Sequence, residues 1–401
     1  MIHKLNLNEF TLFKKVSLEF GNRINVLIGE NGSGKTQILK FLYATLNLLP
    51  LYQKEGHQYW IRVVEKRFSN KQTKNIANSI APKSDLDSFK SVFGIDKVTD
   101  LINLDYKNKH TKKTSQGALL LENGVHSDLL LEDIPNVKSK NSIFFSAEGK
   151  DFEYNVELQY QDVIVGNAIP SNVPFPDPIP SGLLPEALFL PTRELLTIFP
   201  HYLALRSRYK LPYDSTYDDA IARLGLPPMN EDSTEFEMIV QKLEKAIDGR
   251  IFLKDEKFFF HPNSAKDGQH LDINMTAEGW RKLGMLLQLL KNGGLRSGMV
   301  LLWDEPEANL NPRLICLIAR VLIQLSKLDI QVFITTHSLF LLREIDMLSK
   351  EKGTYEQGDI RYFNFLGKGK VEHGNAPEDL DKILLLDESL KQSDRYLEGD
   401  F

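Results

Sequence analysis

The order of apolar and polar positions divides the chain into segments with two distinct periods. Leu5, Leu7, Phe10 and Leu12, then Val16, Leu18 and Phe20, alternate with polar residues as half-buried strands do. Ile24-Asn25-Val26-Leu27-Ile28 is nearly continuous in apolar residues and reads as a buried strand. From Lys35 to about Leu48, Ile38, Leu39, Leu42 and Leu46 recur on one helical face. Strand patterning returns at 57–68 and 143–165, and Ala187-Leu188-Phe189-Leu190 is a short apolar strand. Residues 69–120 read as polar, partly helical and irregular. Residues 193–248 read as largely helical. Their seam of Phe236, Val240, Leu243 and Ile247 runs over barely two heptads, too short for a coiled-coil arm. Strands are expected at 251–261 and 270–274 and a helix at 278–291. After these come strand 299–303, helix 312–327, strand 330–335 and helix 338–349. This β-α-β-α order implies a parallel sheet covered by helices.

Composition narrows the class. The 401 residues are 42% apolar and 26% charged, which excludes disordered, collagenous and disulfide-scaffold proteins. The length allows two or three domains, or one elaborated α/β domain. Cys316, the only cysteine, excludes an intramolecular disulfide and a Cys-based zinc site. The Met1-Ile2-His3-Lys4 start carries no signal peptide, so a cytoplasmic protein is expected. Seven prolines between Pro170 and Pro191 make that weakly charged stretch a loop or linker, and no membrane span is expected.

Charge is unevenly spread. The net charge of −5 argues against a wholly basic nucleic-acid coat. Arg62 to Lys113, however, holds 12 Lys/Arg against 6 Asp/Glu, densest at Lys107–Lys113. Two readings stand: a solvated loop or helix end, or a contact for DNA, RNA or an acidic partner.

The strongest chemical signal is Gly29-Glu30-Asn31-Gly32-Ser33-Gly34-Lys35-Thr36, which fits G-x-x-x-x-G-K-[ST] between an apolar strand and a helix. Gly29, Gly32 and Gly34 allow backbone N–H groups, with those of Asn31 and Ser33, to converge on phosphate oxygens. Lys35 should reach the β- and γ-phosphates of ATP, and Thr36 should place its hydroxyl on Mg²⁺. The helix N-terminus adds partial positive charge.

Two further strand ends complete the constellation. Val300-Leu301-Leu302-Trp303-Asp304-Glu305 finishes in two carboxylates, at the edge where open α/β sheets bind ligands. Asp304 would hold Mg²⁺ through water, and Glu305 would polarise the attacking water. Phe333-Ile334-Thr335-Thr336-His337-Ser338 ends the next strand in a histidine placed to sense the γ-phosphate.

These motifs, with Leu5-Asn6-Leu7-Asn8-Glu9-Phe10 ahead of the phosphate loop and Asp304-Glu305-Pro306-Glu307-Ala308-Asn309-Leu310-Asn311-Pro312 after the second strand, resemble an ABC-type ATPase head. The resemblance is to the RecF/SMC/OLD-like branch of AAA ATPases, and it spans residues 5 to 338. It implies an α/β P-loop NTPase fold with a mixed central sheet, an antiparallel β lobe and helical insertions. On that template, 1–68 and 141–192 form an N-terminal ATPase lobe carrying the phosphate loop, and 69–140 is a basic, partly helical insertion. Residues 193–250 are a helical insertion, 251–375 a C-terminal ATPase lobe and 376–401 a helical tail.

Such heads sandwich ATP between two protomers, so the resemblance implies a homodimer. Met275 to Lys282 is the signature candidate, with Thr276 and Gly279 facing the partner's nucleotide. It departs from Leu-Ser-Gly-Gly-Gln: Thr276 replaces the serine, or the serine is lost to Ala277. Asn311 stands where many ABC ATPases have Asp. These departures bear on the rate of hydrolysis more than on nucleotide binding. Gln159 and Gln161 are both candidates for the Q-loop. Arg193 either approaches nucleotide or a partner protomer, or pairs with Glu194 or a neighbouring carboxylate.

The resemblance also implies what sits elsewhere. The stretch after His337 is expected to be too short for the metal-binding Toprim domain of OLD-type nucleases; Asp379-Leu380-Asp381 superficially fits its metal motif, but Glu378 through Asp381 are expected to cap a helix at 381–392. A separate effector protein, a nuclease among the candidates, is therefore expected, in the manner of ATPase subunits of bacterial anti-phage defence or DNA-repair systems. A non-turnover scaffold held together by ATP is the alternative.

Overall fold

The computed structural model describes residues 1–10, 12–48, 100–108, 114–121, 141–148, 152–160, 185–209, 211–228, 234–266, 268–351 and 355–399. The chain begins β1 (Ile2–Phe10), β2 (Phe13–Glu19), β3 (Ile24–Gly29) and α1 (Lys35–Tyr43). It continues through β4 (Asp100–Asn108), β5 (Thr114–Leu121), β6 (Asn141–Glu148), β7 (Phe152–Tyr160) and β8 (Ala187–Leu190). Helices α2 (Tyr202–Arg208), α3 (Ser215–Leu224) and α4 (Glu237–Ile247) precede β9 (Gly249–Lys254), β10 (Lys257–Pro262) and β11 (Leu271–Asp272). Then come α5 (Glu278–Lys291), β12 (Val300–Asp304), α6 (Pro312–Lys327), β13 (Gln331–Thr336) and α7 (Leu339–Ser349). The last elements are β14 (Ile360–Gly367), β15 (Lys370–Gly374) and α8 (Leu384–Glu398).

Two compact units result. The first takes residues 1–20, 44–185 and 368–370, and its described strands form one antiparallel sheet in the order β2-β1-β6-β7-β4-β5. Leu5 pairs with Leu18 across β1 and β2, both buried, which accounts for the alternation at the start of the chain.

The second unit, residues 21–43, 186–367 and 371–401, holds the other six-stranded sheet, β15-β14-β3-β13-β12-β8. From β14 to β8 every neighbouring pair is parallel. β15 adds an edge after the two-residue turn Lys368-Gly369, so the sheet is mixed. β3 and β13 are buried at every position, as strands covered on both faces must be. Asn311 caps α6, its side chain accepting from the Leu314 N–H at 3.0 Å, and Pro312 opens the helix. All five parallel strands send their carboxyl ends to one edge.

The structure departs from the sequence reading in several places. β14, the second neighbour of β3, was not expected: its Ile360-Arg-Tyr-Phe-Asn-Phe stretch mixes buried and half-buried positions without clean alternation. Within the segment expected to be partly helical at 69–140, residues 100–108 and 114–121 are paired strands of the antiparallel sheet. The strand expected at 57–68 lies outside the described residues, as does the basic segment apart from β4. The phosphate loop groups with the second unit rather than with 1–20 and 141–160, because both neighbours of β3 come from the C-terminal part. The helices expected as an insertion at 193–250 bury Tyr202, Ile221, Leu243 and Ile247 in the core of the second unit. Asp379 does not cap a long helix: its carboxylate accepts from the Asn375 and Ala376 N–H groups, and α8 starts at Leu384.

Candidate active site

The parallel register aligns the site. Asp304 pairs with Thr335, Thr335 with Leu27 and Thr336 with Ile28, so the ends of β12, β13 and β3 lie level. The phosphate loop leaves β3 at Gly29, where φ is 139°. A Cβ built there would lie 2.4 Å from the Phe365 carbonyl oxygen of β14, so only glycine fits. Gly29→Ala is therefore expected to unseat the loop, with loss of nucleotide binding in isothermal titration and a lowered melting temperature; wild-type values for both would refute the packing argument.

Lys35 opens α1 and is 5% exposed. Its ammonium donates to the Gly29 and Glu30 carbonyls at 2.8 and 2.9 Å, closing the loop on itself. Burial holds its pKa below the usual lysine value, against the opposing pull of Glu305, Asp304 and Glu307. The Ser33 hydroxyl is buried in the same loop with no hydrogen-bond partner among the described residues. Asn31 and Gly32 are exposed at the lip, and Gly32 and Gly34 take positive φ.

Asp304 gathers three hydroxyls. Thr36 donates to its carboxylate at 2.9 and 3.2 Å, Thr335 at 2.6 Å and Thr192, just past β8, at 3.3 Å. A hydroxyl and a carboxylate converging from two chain segments 268 residues apart form a hard oxygen donor set suited to Mg²⁺. With the orphaned Ser33 hydroxyl and the Lys35 ammonium, these residues fit a nucleotide phosphate and its cation. Magnesium, when bound, would neutralise phosphate charge, with Thr36 and Asp304 as the residues to hold it.

Glu305 follows with a left-handed backbone, φ 48°. Its N–H donates to Thr335 twice, to the carbonyl at 3.2 Å and to Oγ1 at 3.0 Å. Its carboxylate lies 3.4 Å from His337 Nε2. Burial, then the charge of Lys35, lowers the His337 pKa.

Three site residues were given no role by the sequence reading. Thr192 and Thr335 bond Asp304 as above. Lys282, 1% exposed on α5, donates to the Glu305 and Ala308 carbonyls at 2.7 and 3.2 Å. Glu307, quoted only as part of a longer match, accepts from Thr336 Oγ1 at 2.6 Å and the His337 N–H at 3.1 Å. Burial pushes its carboxyl pKa up. Lys282 thus grips the turn after β12, and Glu307 ties that turn to the turn after β13.

The other sequence candidates make no hydrogen bond to the phosphate loop among the described residues. The Thr276 hydroxyl donates to the Ile273 carbonyl at 2.7 Å. Gly279 packs where a Cβ would meet Leu310 at 3.2 Å, and Asn311 is occupied as the α6 cap. None of the three hydrogen-bonds Lys35 or Thr36 among the described residues. Gln159 lies within β7, and Gln161 is outside the described residues. Glu194 pairs with Arg281 at 3.0 Å, not with Arg193, which is exposed.

No helix among the described residues is long and apolar enough to cross a membrane. Residues 1–165 match a family model described as "AAA ATPase domain", and residues 190–343 match one described as "AAA domain, putative AbiEii toxin, Type IV TA system". The DNA replication and repair protein RecF of Shouchella clausii is 42% identical over 43 residues, 11% of this chain and 12% of that protein. The SMC head domain from Thermotoga maritima aligns at a TM-score of 0.41 and 12% identity, covering 94% of this chain and 98% of that one. An Smc head domain with an extended coiled coil from Pyrococcus furiosus, bound to the C-terminal domain of ScpA, aligns at 0.42 and 14%, covering 98% and 99%. Between them, the two family matches, each over less than half of the chain, take in the phosphate loop and both downstream strand ends.

Proposed function

We propose that this head binds and hydrolyses Mg·ATP and that ATP joins two copies of it. The observation that carries the reading is the Asp304 carboxylate, on which Thr36 from the first turn of α1, Thr192 just past β8 and Thr335 near the end of β13 converge beside the Lys35 ammonium. Lys35 and the loop N–H groups bind phosphate, Thr36 and Asp304 orient the cation, Glu305 takes the proton of the attacking water, and His337 supports Glu305. Hydrolysis then separates the two copies and reports the ATP state to a separate effector protein. A nuclease in an anti-phage or DNA-repair setting fits this reading. The toxin–antitoxin wording of one family description and the repair function in RecF's name favour that setting.

A second reading is an ATP-held scaffold without turnover. It is favoured by the signature candidate and Asn311, whose side chains are spent on internal hydrogen bonds. Phosphate release and light scattering separate the two. Steady turnover lost in Lys35→Ala, with a mass that doubles on adding ATP, is expected. ATP-dependent mass without turnover would select the scaffold, and neither effect would reject both readings.

A further inference from the structure

The hairpin β9–β10 has two unlike faces. Ile251, Phe258 and Phe260 are 3% exposed or less and pack into the core of the second unit. The other face carries three successive cross-strand pairs: Lys254 with Lys257, Phe252 with Phe259 and Arg250 with His261. Arg250, Lys254 and Lys257 are exposed, while Phe252 and Phe259 are half-buried. The two phenyl rings stack with centroids 5.9 Å apart and planes 27° apart. The exposed His270 sets its ring edge-on to both, at 5.7 and 4.7 Å.

Folding does not account for this face. Like charges directly opposite in an antiparallel pair repel, and here one such pair and an Arg–His pair bracket aromatic rings left partly in water. None of Arg250, Lys254 and Lys257 has an ion-pair partner among the described residues. Of the neighbouring acids, Asp255 lies in the exposed turn between Lys254 and Lys257, and Asp272 feels the charge of Lys257 without forming an ion pair with it. Glu256 faces His201 at 3.7 Å, and Asp272, opposite Phe259, accepts from the backbone and side-chain amides of Asn274 at 2.9 and 2.7 Å. The two-residue turn Asp255-Glu256, with φ of 48° and 58°, fixes the register that sets these pairs side by side.

We propose that this face binds single-stranded nucleic acid. A base stacks on the Phe252–Phe259–His270 cluster, and its flanking phosphates meet Lys254 and Lys257 on one side and Arg250 on the other. The Lys254–Lys257 pair and Arg250 each lie two residues, about 7 Å, along the strands from the rings. An unpaired base offers a π-face to aromatic rings on a sheet, while cations alongside take the backbone. A duplex keeps its bases stacked inside, beyond reach of the rings.

Fluorescence anisotropy on the full chain, with 20-nucleotide oligo(dT) and oligo(U) and a 20-base-pair duplex over a salt series, tests this. Phe259→Ala and Phe252→Ala are each expected to weaken single-strand binding roughly 10-fold. Lys254→Gln with Lys257→Gln should flatten the salt slope by about 1 to 2. Preference between the two oligonucleotides tells DNA from RNA. Phe259→Leu, which keeps apolar bulk and removes the ring, covers the case in which alanine disturbs the hairpin. ATP binding by each variant checks that the second unit is intact. No binding of either oligonucleotide, equal binding of the duplex, or wild-type affinity in the Phe variants would overturn the proposal. So would displacement by poly-glutamate as effective as by oligonucleotide, which would make the face a site for acidic protein segments.

Discussion

Replacing Glu305 with Gln is expected to lower ATP turnover about 10²- to 10⁴-fold while leaving ATP binding in place. Glutamine keeps the size and the hydrogen-bonding capacity of the side chain and removes its basicity. The backbone around it should hold, because the Glu305 N–H is fixed by Thr335 and its carbonyl by Lys282. Only proton abstraction is then lost. Steady-state phosphate release measures the first effect; light scattering should show an ATP-bound dimer that persists instead of dissociating. Unchanged turnover would mean that another group takes the proton. His337, the nearest alternative at 3.4 Å, would then be tested by His337→Ala in the same assay.

Lys282→Met should destabilise the protein by about 2–5 kcal/mol, because two half-buried carbonyls lose their donor and Glu307 loses a neighbouring positive charge. The effect carries a pH signature. Burial lowers the Lys282 pKa to about 8, from 10.5 in an unfolded chain. Between those values the unfolded wild type binds more protons than the folded one, so its stability rises with pH there. Methionine does not titrate. The gap between wild type and variant should therefore be flat below pH 8 and widen above it, by at most about 1.4 kcal/mol per pH unit. Comparing the two proteins cancels the buried tyrosines Tyr202, Tyr355 and Tyr362, whose raised pKa values act in the opposite sense at high pH. Denaturant melts from pH 7 to 10 would show the widening; a constant gap would mean Lys282 stays charged throughout.

What the sequence disclosed depended on how local each signal was. β3 with the phosphate loop, and β12 with its two carboxylates, announced themselves by an apolar run ending in chemically distinctive residues, and both lie where expected at one sheet edge. β14 escaped because its strand character depends on the cover it receives beside β3. Lys282 entered the sequence reading only as the last residue of the signature candidate; its role follows from carbonyls 23 and 26 residues away. Thr192 and Thr335 are ordinary strand-end residues until the parallel register sets them against Asp304. Arg193 beside Glu194 left an ion pair open as one of two readings, but Glu194 is buried and pairs with Arg281, whereas Arg193, at a bend after β8, is exposed.

The strand order has a consequence for how the protein is made. β3 ends at Gly29, yet the strands on either side of it, β13 and β14, begin at Gln331 and Ile360. On the ribosome, β3 therefore waits without either sheet neighbour for some 300 residues, an apolar strand with both edges open. Nascent chains arrested before Gln331 should be rich in exposed β3 and depend on chaperones, and nucleotide can help folding only after β13 emerges.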